Sequence, residues 1–356
     1  MIALDLRSDT VTRPTPAMRA VMANADVGDD VLDGDPTVRA LEAACAERLG
    51  MDWALFVPTG TMGNLVGITL GSRPGTEIVL DANAHIIHWE IAGPAMLAGV
   101  QVRPVAPSAQ VMRAADLSAG IRPRSPHAPR SSLVCLENTH NHAGGVVTSA
   151  ADLTALAHVA RTHALGVHLD GARLWNAHIA TGTPLAAFTA SVDTVMCSFS
   201  KGLGAPAGAI IAGRIATRAD AYEIRKRLGG GMRQSGILAA GAWHGLTEHL
   251  ARLADDHAAA RRFAETLASL VPRAGVVTPD TNIVMVDLPA PVAEAVVARA
   301  AAAGVRIGVW HASRIRAVWH LDAPAEHAEA AATVVADAIA AAMEAGAPSG
   351  RSTVNG

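Results

Sequence analysis

Between residues 53 and 212 the chain repeatedly runs a short apolar stretch into a polar or glycine-bearing turn and then into a helical segment, and few folds accommodate that rhythm. Trp53–Val57 breaks at Pro58-Thr59-Gly60-Thr61 and continues into an apolar, helix-like stretch over 64–70. Residues 77–80 and 132–136 are further strand candidates, the second ending at Glu137-Asn138 and followed by a helical segment over 150–165. Gly166–Asp170 reads as a buried strand that stops on a carboxylate, Thr194–Ser198 as one that stops just before Lys201, and 209–212 as the next. The alternation predicts an α/β fold whose central sheet is mainly parallel, with helices on both faces. In such sheets ligands collect beyond the carboxyl ends of the strands, so the polar residues at those ends are the first place to look for chemistry.

From about residue 252 the texture changes to a helix over 252–270, a strand over 282–288, an Ala-rich helix and a strand over 305–310. That pattern predicts a smaller C-terminal α+β domain, and 356 residues are enough for two cores. The expected division is a large domain over 1–250 including the N-terminal arm, a small one over 251–345, and a disordered, small and polar tail over 346–356. Half of the residues are hydrophobic and 17% are charged, a globular balance. A net charge of −3 with no dense Lys/Arg stripe argues against a nucleic-acid partner. No window approaches 18 uncharged apolar residues, so no membrane span is expected. Three widely spaced cysteines cannot build a disulfide framework, which points to a reducing cytoplasm.

Lys201 follows an apolar strand, with serines before it and Gly202 and Gly204 after it. Partial desolvation there favours the neutral amine, which suits imine formation with a carbonyl; the plain alternative is a surface lysine in a glycine-rich turn. Asp170, about thirty residues earlier, is placed either to cap a helix or to hold a proton on the ring nitrogen of pyridoxal phosphate (PLP), the electron sink that a carbonyl-bearing cofactor beside a lysine would supply. Gly60 and Thr61 open a helix and so offer backbone N–H groups and a hydroxyl to an anion, to which Ser200 could add a second hydroxyl. His85/His88 and His140/His142 are spaced closely enough to share a metal, yet no carboxylate or cysteine cluster accompanies them, and no metal is expected. Aromatic residues make up only 3% of the chain, so a ring lying on a flat cofactor could be a histidine.

The segments DLRSDTVTRPT, VGDDV..GDPTV, PTGTMGNL, LENTHN, HLDGARLWNA, SFSKGLGAP and GGGMRQSGILAA occur in that order from Leu4 to about His244. In this set the chain resembles the threonine aldolase family of fold-type-I PLP enzymes, with a weaker likeness continuing to Asp322. The resemblance implies PLP-dependent, reversible cleavage of L-threonine, L-allo-threonine and related 3-hydroxy amino acids to glycine and an aldehyde. It implies that Lys201 is the Schiff-base lysine and that Asp170 pairs with the ring nitrogen, with Arg173 helping to hold it. Gly60, Thr61 and Ser200 would hold the phosphate, and Arg233 would reach it, from a neighbouring subunit in one version of the arrangement. Ser8, Arg173 and Arg316 would grip the substrate carboxylate, His85 would lie over the cofactor ring, and His140 would be a second active-site histidine. The base for the 3-hydroxyl is left open among His85, His140 and a water between them. The resemblance also implies a homo-oligomer, a dimer or a homotetramer, with active sites at the subunit interface. This chain departs from the family pattern at Leu32, where a Tyr is usual, in the turn 141–145, and at Ile86-Ile87-His88-Trp89, where other aromatics are common.

Overall fold

A computed structural model describes residues 3–346. By their internal packing they form two compact units, Thr12–Ala254 and a second made of residues 3–11 with 255–346. In chain order the strands are β1 (Leu4–Asp5), β2 (Trp53–Val57), β3 (Glu77–Asp81), β4 (Gln101–Val105), β5 (Ser131–Glu137), β6 (Gly166–Asp170), β7 (Thr194–Ser198), β8 (Ala209–Gly213), β9 (Gly275–Val276), β10 (Ile283–Asp287), β11 (Val305–Arg306), β12 (Gly308–His311) and β13 (Arg314–Val318).

The larger unit is built on a seven-stranded sheet of order β2-β8-β7-β6-β5-β3-β4. All neighbours are parallel except β8, which runs antiparallel to both β2 and β7. The carboxyl ends of the other six strands therefore share one edge. Side chains alternate between two apolar layers: Phe56, Val79, Val134, Val167 and Leu169 face one core, while Leu55, Ile78, Leu80, Leu133 and Cys135 face clusters on the other side. Helices Pro36–Leu49, Ala150–Thr162 and Gly236–His244 contribute Leu41, Leu153, Leu156 and Ala239 to the first layer. Helix Gly60–Gly71 contributes Val66 and Ile68 to the second.

That last helix sits unusually close to the sheet. Its start is fixed by Thr59, whose Oγ1 accepts from the Met62 N–H at 3.2 Å. Its approach depends on Gly63 and Gly67: a Cβ at the first would lie 2.6 Å from Met196 Cγ, and at the second 2.4 Å from the His168 ring. Glycine is required here for space rather than for its backbone freedom.

In the smaller unit β12-β13-β10-β9 form an antiparallel sheet backed by helices Ala293–Ala302 and Ala328–Gly346. Two expectations need correction. The N-terminal arm, expected with the large domain, belongs to this unit: β1 pairs in parallel with β11, and Leu4 and Leu6 are buried in its core beside Val305, Ile307 and Trp319. The single strand expected over 305–310 is two, because β11 takes the arm as its partner while β12 joins β13. Of the tail expected over 346–356, residue 346 ends the last helix, and 347–356 lie outside the described residues.

Candidate active site

Register alone assembles most of the site. Asp170 pairs with Glu137 on one side and Met196 on the other, and Ser198 pairs with Ala209, which in turn faces Val57. The segments leaving β2, β3, β5, β6 and β7 at this edge carry Gly60 and Thr61, His85, His140, Arg173, and Ser200 and Lys201 respectively.

Asp170 is buried, with both oxygens held: Oδ1 accepts from the Ala172 N–H at 3.1 Å and Oδ2 from Asn64 Nδ2 at 2.9 Å. Each oxygen of a carboxylate can accept twice, so capacity remains for a further donor on either oxygen. Lys201 lies half-buried beyond the neighbouring parallel strand, and its carbonyl accepts from Gly204 N–H to close the glycine turn. Gly60 and Thr61 are the first two residues of their helix, and Ser200 Oγ lies 3.4 Å from Ser198 Oγ. Arg173 is buried and donates from Nη1 to Asn141 Oδ1 at 3.3 Å.

His85 opens a one-turn helix, His85–His88, and its own N–H donates to Glu137 Oε2 at 2.7 Å. Glu137 Oε1 accepts from the Asn141 N–H, so one strand-end carboxylate ties the two histidine-bearing loops together. The His85 ring stays about one-third exposed, with Nδ1 3.0 Å from Glu90 Oε1. Directly after Glu90 the backbone bends, with Ile91 and Ala92 at φ of 48° and 53°. Burial pushes the Glu90 carboxyl up, with Asp170 adding to the rise. Burial opposes charge on His85, but the Glu90 hydrogen bond and the nearby Asp170 and Glu137 outweigh it and raise its pKa. Both shifts run the same way, so the pair as a unit holds its proton to higher pH than either group alone.

Behind these residues lies a relay that the sequence reading passed over. Asn64 Nδ2 donates to Glu90 Oε1 at 2.7 Å as well as to Asp170 Oδ2. Its Oδ1 lies 3.1 Å from His168 Nε2, and His168 Nδ1 lies 2.8 Å from Thr194 Oγ1. Burial depresses His168 to about 4 despite the charge of Asp170, so the ring is neutral at working pH. Among the described residues, ligand atoms of His85, Glu90 and Asp170 come within 4.8 Å of one another, a grouping invisible in the sequence. The Asn64 amide already bridges its two carboxylates.

Two expected site residues make other contacts. His140 is buried, with Nδ1 accepting from the Ala143 N–H at 3.3 Å and Nε2 3.7 Å from Asp81 Oδ2. Arg233 is exposed, its Nη1 3.3 Å from Asp29 Oδ2. In the smaller unit, Ser8 Oγ accepts from the N–H and hydroxyl of Thr10, and Arg316 donates from Nη2 to the Arg7 carbonyl while its guanidinium stacks 4.7 Å from the Trp310 ring. No helix among the described residues is long and apolar enough to cross a membrane.

A lysine and a carboxylate at the ends of adjacent parallel strands, with a capped helix start and two hydroxyls on the same edge, fit a flat, phosphorylated cofactor bearing a carbonyl and a basic ring nitrogen. Comparison with known proteins agrees. Residues 5–291 match the family described as beta-eliminating lyase. The chain is 42% identical over 291 residues to a probable low-specificity L-threonine aldolase of Arabidopsis thaliana, covering 80% of this chain and 82% of that one. It is 41% identical over 284 residues to the low specificity L-threonine aldolase of Escherichia coli K12, covering 80% and 84%. The fold is similar to that of a Leishmania major threonine aldolase, with a TM-score of 0.78 at 19% identity over 94% of this chain and 99% of that one.

Proposed function

Since the chain belongs to the beta-eliminating lyase family and, within it, to the low-specificity L-threonine aldolases, we propose that Lys201, Asp170 and the Glu90–His85 pair carry a PLP-dependent cleavage of L-threonine, L-allo-threonine and related 3-hydroxy amino acids to glycine and an aldehyde. PLP, when bound, supplies a carbonyl that condenses with amines and a protonated ring that accepts an electron pair. The observation that carries this reading is Asp170, buried at the sheet edge with acceptor capacity left over and with Lys201 beyond the next strand.

Lys201 Nζ would be the amine that anchors the cofactor and gives way to the substrate amine. Asp170 would hold the ring nitrogen protonated. Gly60, Thr61 and Ser200 would hold the phosphate. Arg173 would steady the substrate carboxylate, and the resemblance assigns Ser8 and Arg316 to the same group. His85 would lie over the ring. With Nδ1–H given to Glu90, its neutral form presents Nε2 as the acceptor for the 3-hydroxyl proton. Partial exposure supports His85 over His140, whose ring is buried against Asp81.

The enzyme works in the cytoplasm as a homo-oligomer, a dimer or tetramer, with subunits meeting near the active site. Three free, buried cysteines, Cys45, Cys135 and Cys197, support a reducing compartment. The exposed Trp89, Ile91, Met96 and Leu97, close after His85, support a subunit contact there, and the exposed Arg233 would serve a neighbour's phosphate.

The test is product analysis. Purified protein with PLP should release acetaldehyde and glycine from L-threonine and L-allo-threonine, and Lys201→Ala should release neither. Ammonia and a 2-oxo acid in their place would make the enzyme a β-eliminating lyase in activity as well as in family.

A further inference from the structure

Two buried carboxylates side by side repel, and Asp170 and Glu90 are both needed by the reading above, one for the cofactor ring and one for His85. What stands between them is a single amide. Asn64 Nδ2 has two hydrogens, and each goes to one carboxylate, at 2.9 Å and 2.7 Å. A rotated amide would turn its carbonyl oxygen toward both, leaving two buried acceptors facing a third. Nothing in the Asn64 side chain itself prevents that rotation.

The lock is one layer further in. Because Nδ2 is the donor to the carboxylates, Oδ1 must accept, so the donor at 3.1 Å is His168 Nε2–H. That tautomer leaves Nδ1 as an acceptor for the Thr194 hydroxyl at 2.8 Å. The ring remains neutral because burial holds its pKa at about 4, so Nδ1 is not protonated and Thr194 keeps its acceptor. Gly67 leaves space for the ring, since a Cβ there would fall 2.4 Å from His168 Nδ1 and Cε1.

We propose that His168 and Asn64 are positioning residues for the reaction: Thr194 sets the tautomer of His168, His168 sets the orientation of Asn64, and Asn64 holds Asp170 and Glu90 in the one arrangement that serves both the cofactor ring and His85. The proposal rests on the PLP-dependent reading of the site.

A pair of substitutions separates positioning from packing. His168→Gln places an amide N–H where Nε2–H stands and keeps the donor to Asn64, whereas His168→Leu fills similar volume without it. Apoprotein is titrated with PLP to obtain Kd, and kcat and KM for L-threonine are measured on the reloaded enzyme, with the apoprotein Tm as the check on folding. His168→Gln is expected to stay within about threefold of wild type in PLP Kd, and His168→Leu to weaken PLP binding at least tenfold and to lower kcat with KM little changed. Thr194→Val, which removes only the hydroxyl, is expected to weaken PLP binding severalfold and stands in for His168→Leu should that variant not fold. If His168→Gln and His168→Leu bind PLP alike, or if Thr194→Val binds it as wild type does, His168 is a packing residue and the proposal falls. Should wild type bind PLP but cleave no threonine, the reading of function fails while the Kd comparison still decides this one.

Discussion

His85 and Glu90 show how far a residue's chemistry is set by neighbours that the sequence does not place beside it. The raised pKa of His85 has a calculable sign in two measurements. For stability, a histidine raised above its ordinary 6.5 contributes fully below that value, and the contribution is lost as pH rises through the folded-state pKa. For activity, the base must be neutral, so the acid limb of kcat/KM should lie at higher pH than an unshifted histidine would place it. Glu90→Gln removes the anionic partner and should move that limb to lower pH while reducing the maximal rate. An unmoved limb would show that His85 is not the titrating base. His85→Phe should keep PLP affinity, since a flat ring still covers the cofactor, yet lower kcat by roughly 10²–10⁴, the usual reach of one acid–base group. The position of Lys201, Asp170 and Gly60 at the carboxyl edge of the sheet was legible because each stands where an apolar run stops. Glu90 was not, because its contacts with His85 and Asn64 join separate segments, and the bend beside it at Ile91 and Ala92 carries no turn signature. Asn64 and His168 were hidden for the opposite reason: they lie inside an apolar helix and an apolar strand, where a polar residue reads as an ordinary buried one.

Among the elements, helix Gly60–Gly71 gives its flank to the relay, and its start is the place proposed for the phosphate. Gly67→Ala separates the helix's local preference from its packing. Alanine favours a helix over glycine by about 1 kcal/mol, but here its Cβ meets the His168 ring at 2.4 Å, and overpacking costs about 1–3 kcal/mol. The variant should therefore melt lower than wild type in a thermal scan and bind PLP more weakly; a higher Tm would mean that the ring yields freely. Strands with both faces covered were legible as apolar runs. Gln101–Val105 was not, because it is an edge strand containing Arg103 and Pro104 and half open to solvent. Arg314–Val318 was missed because two arginines alternate through it, one paired with Asp287 and one stacked on Trp310.

At the scale of the whole molecule, the smaller unit is completed by the chain's own beginning. Leu4 and Leu6 are buried in it, the Val318 N–H donates to the Leu6 carbonyl, His320 Nε2 lies 2.7 Å from the Asp5 carbonyl, and Asn282 Nδ2 donates to Asp9. Removing residues 1–7 should cost that unit about 1.5–3 kcal/mol for each leucine, and hydrogen exchange should accelerate across 305–319 before it does in the central sheet. Arg316→Ala should raise KM for threonine while leaving PLP Kd unchanged; a fall in PLP affinity with constant KM would remove it from the carboxylate role. This arrangement has a consequence for biosynthesis. Leu4 pairs with Val305, 301 residues later (305 − 4), and at ~5–20 residues per second the first strand leaves the ribosome on the order of 15–60 s before its partner is made. Throughout that interval a nascent strand with two core leucines waits with its edges bare while the larger unit folds. Asp5 and Arg7, alternating with those leucines, are the kind of charged gatekeepers that keep such a strand from pairing with the wrong chain.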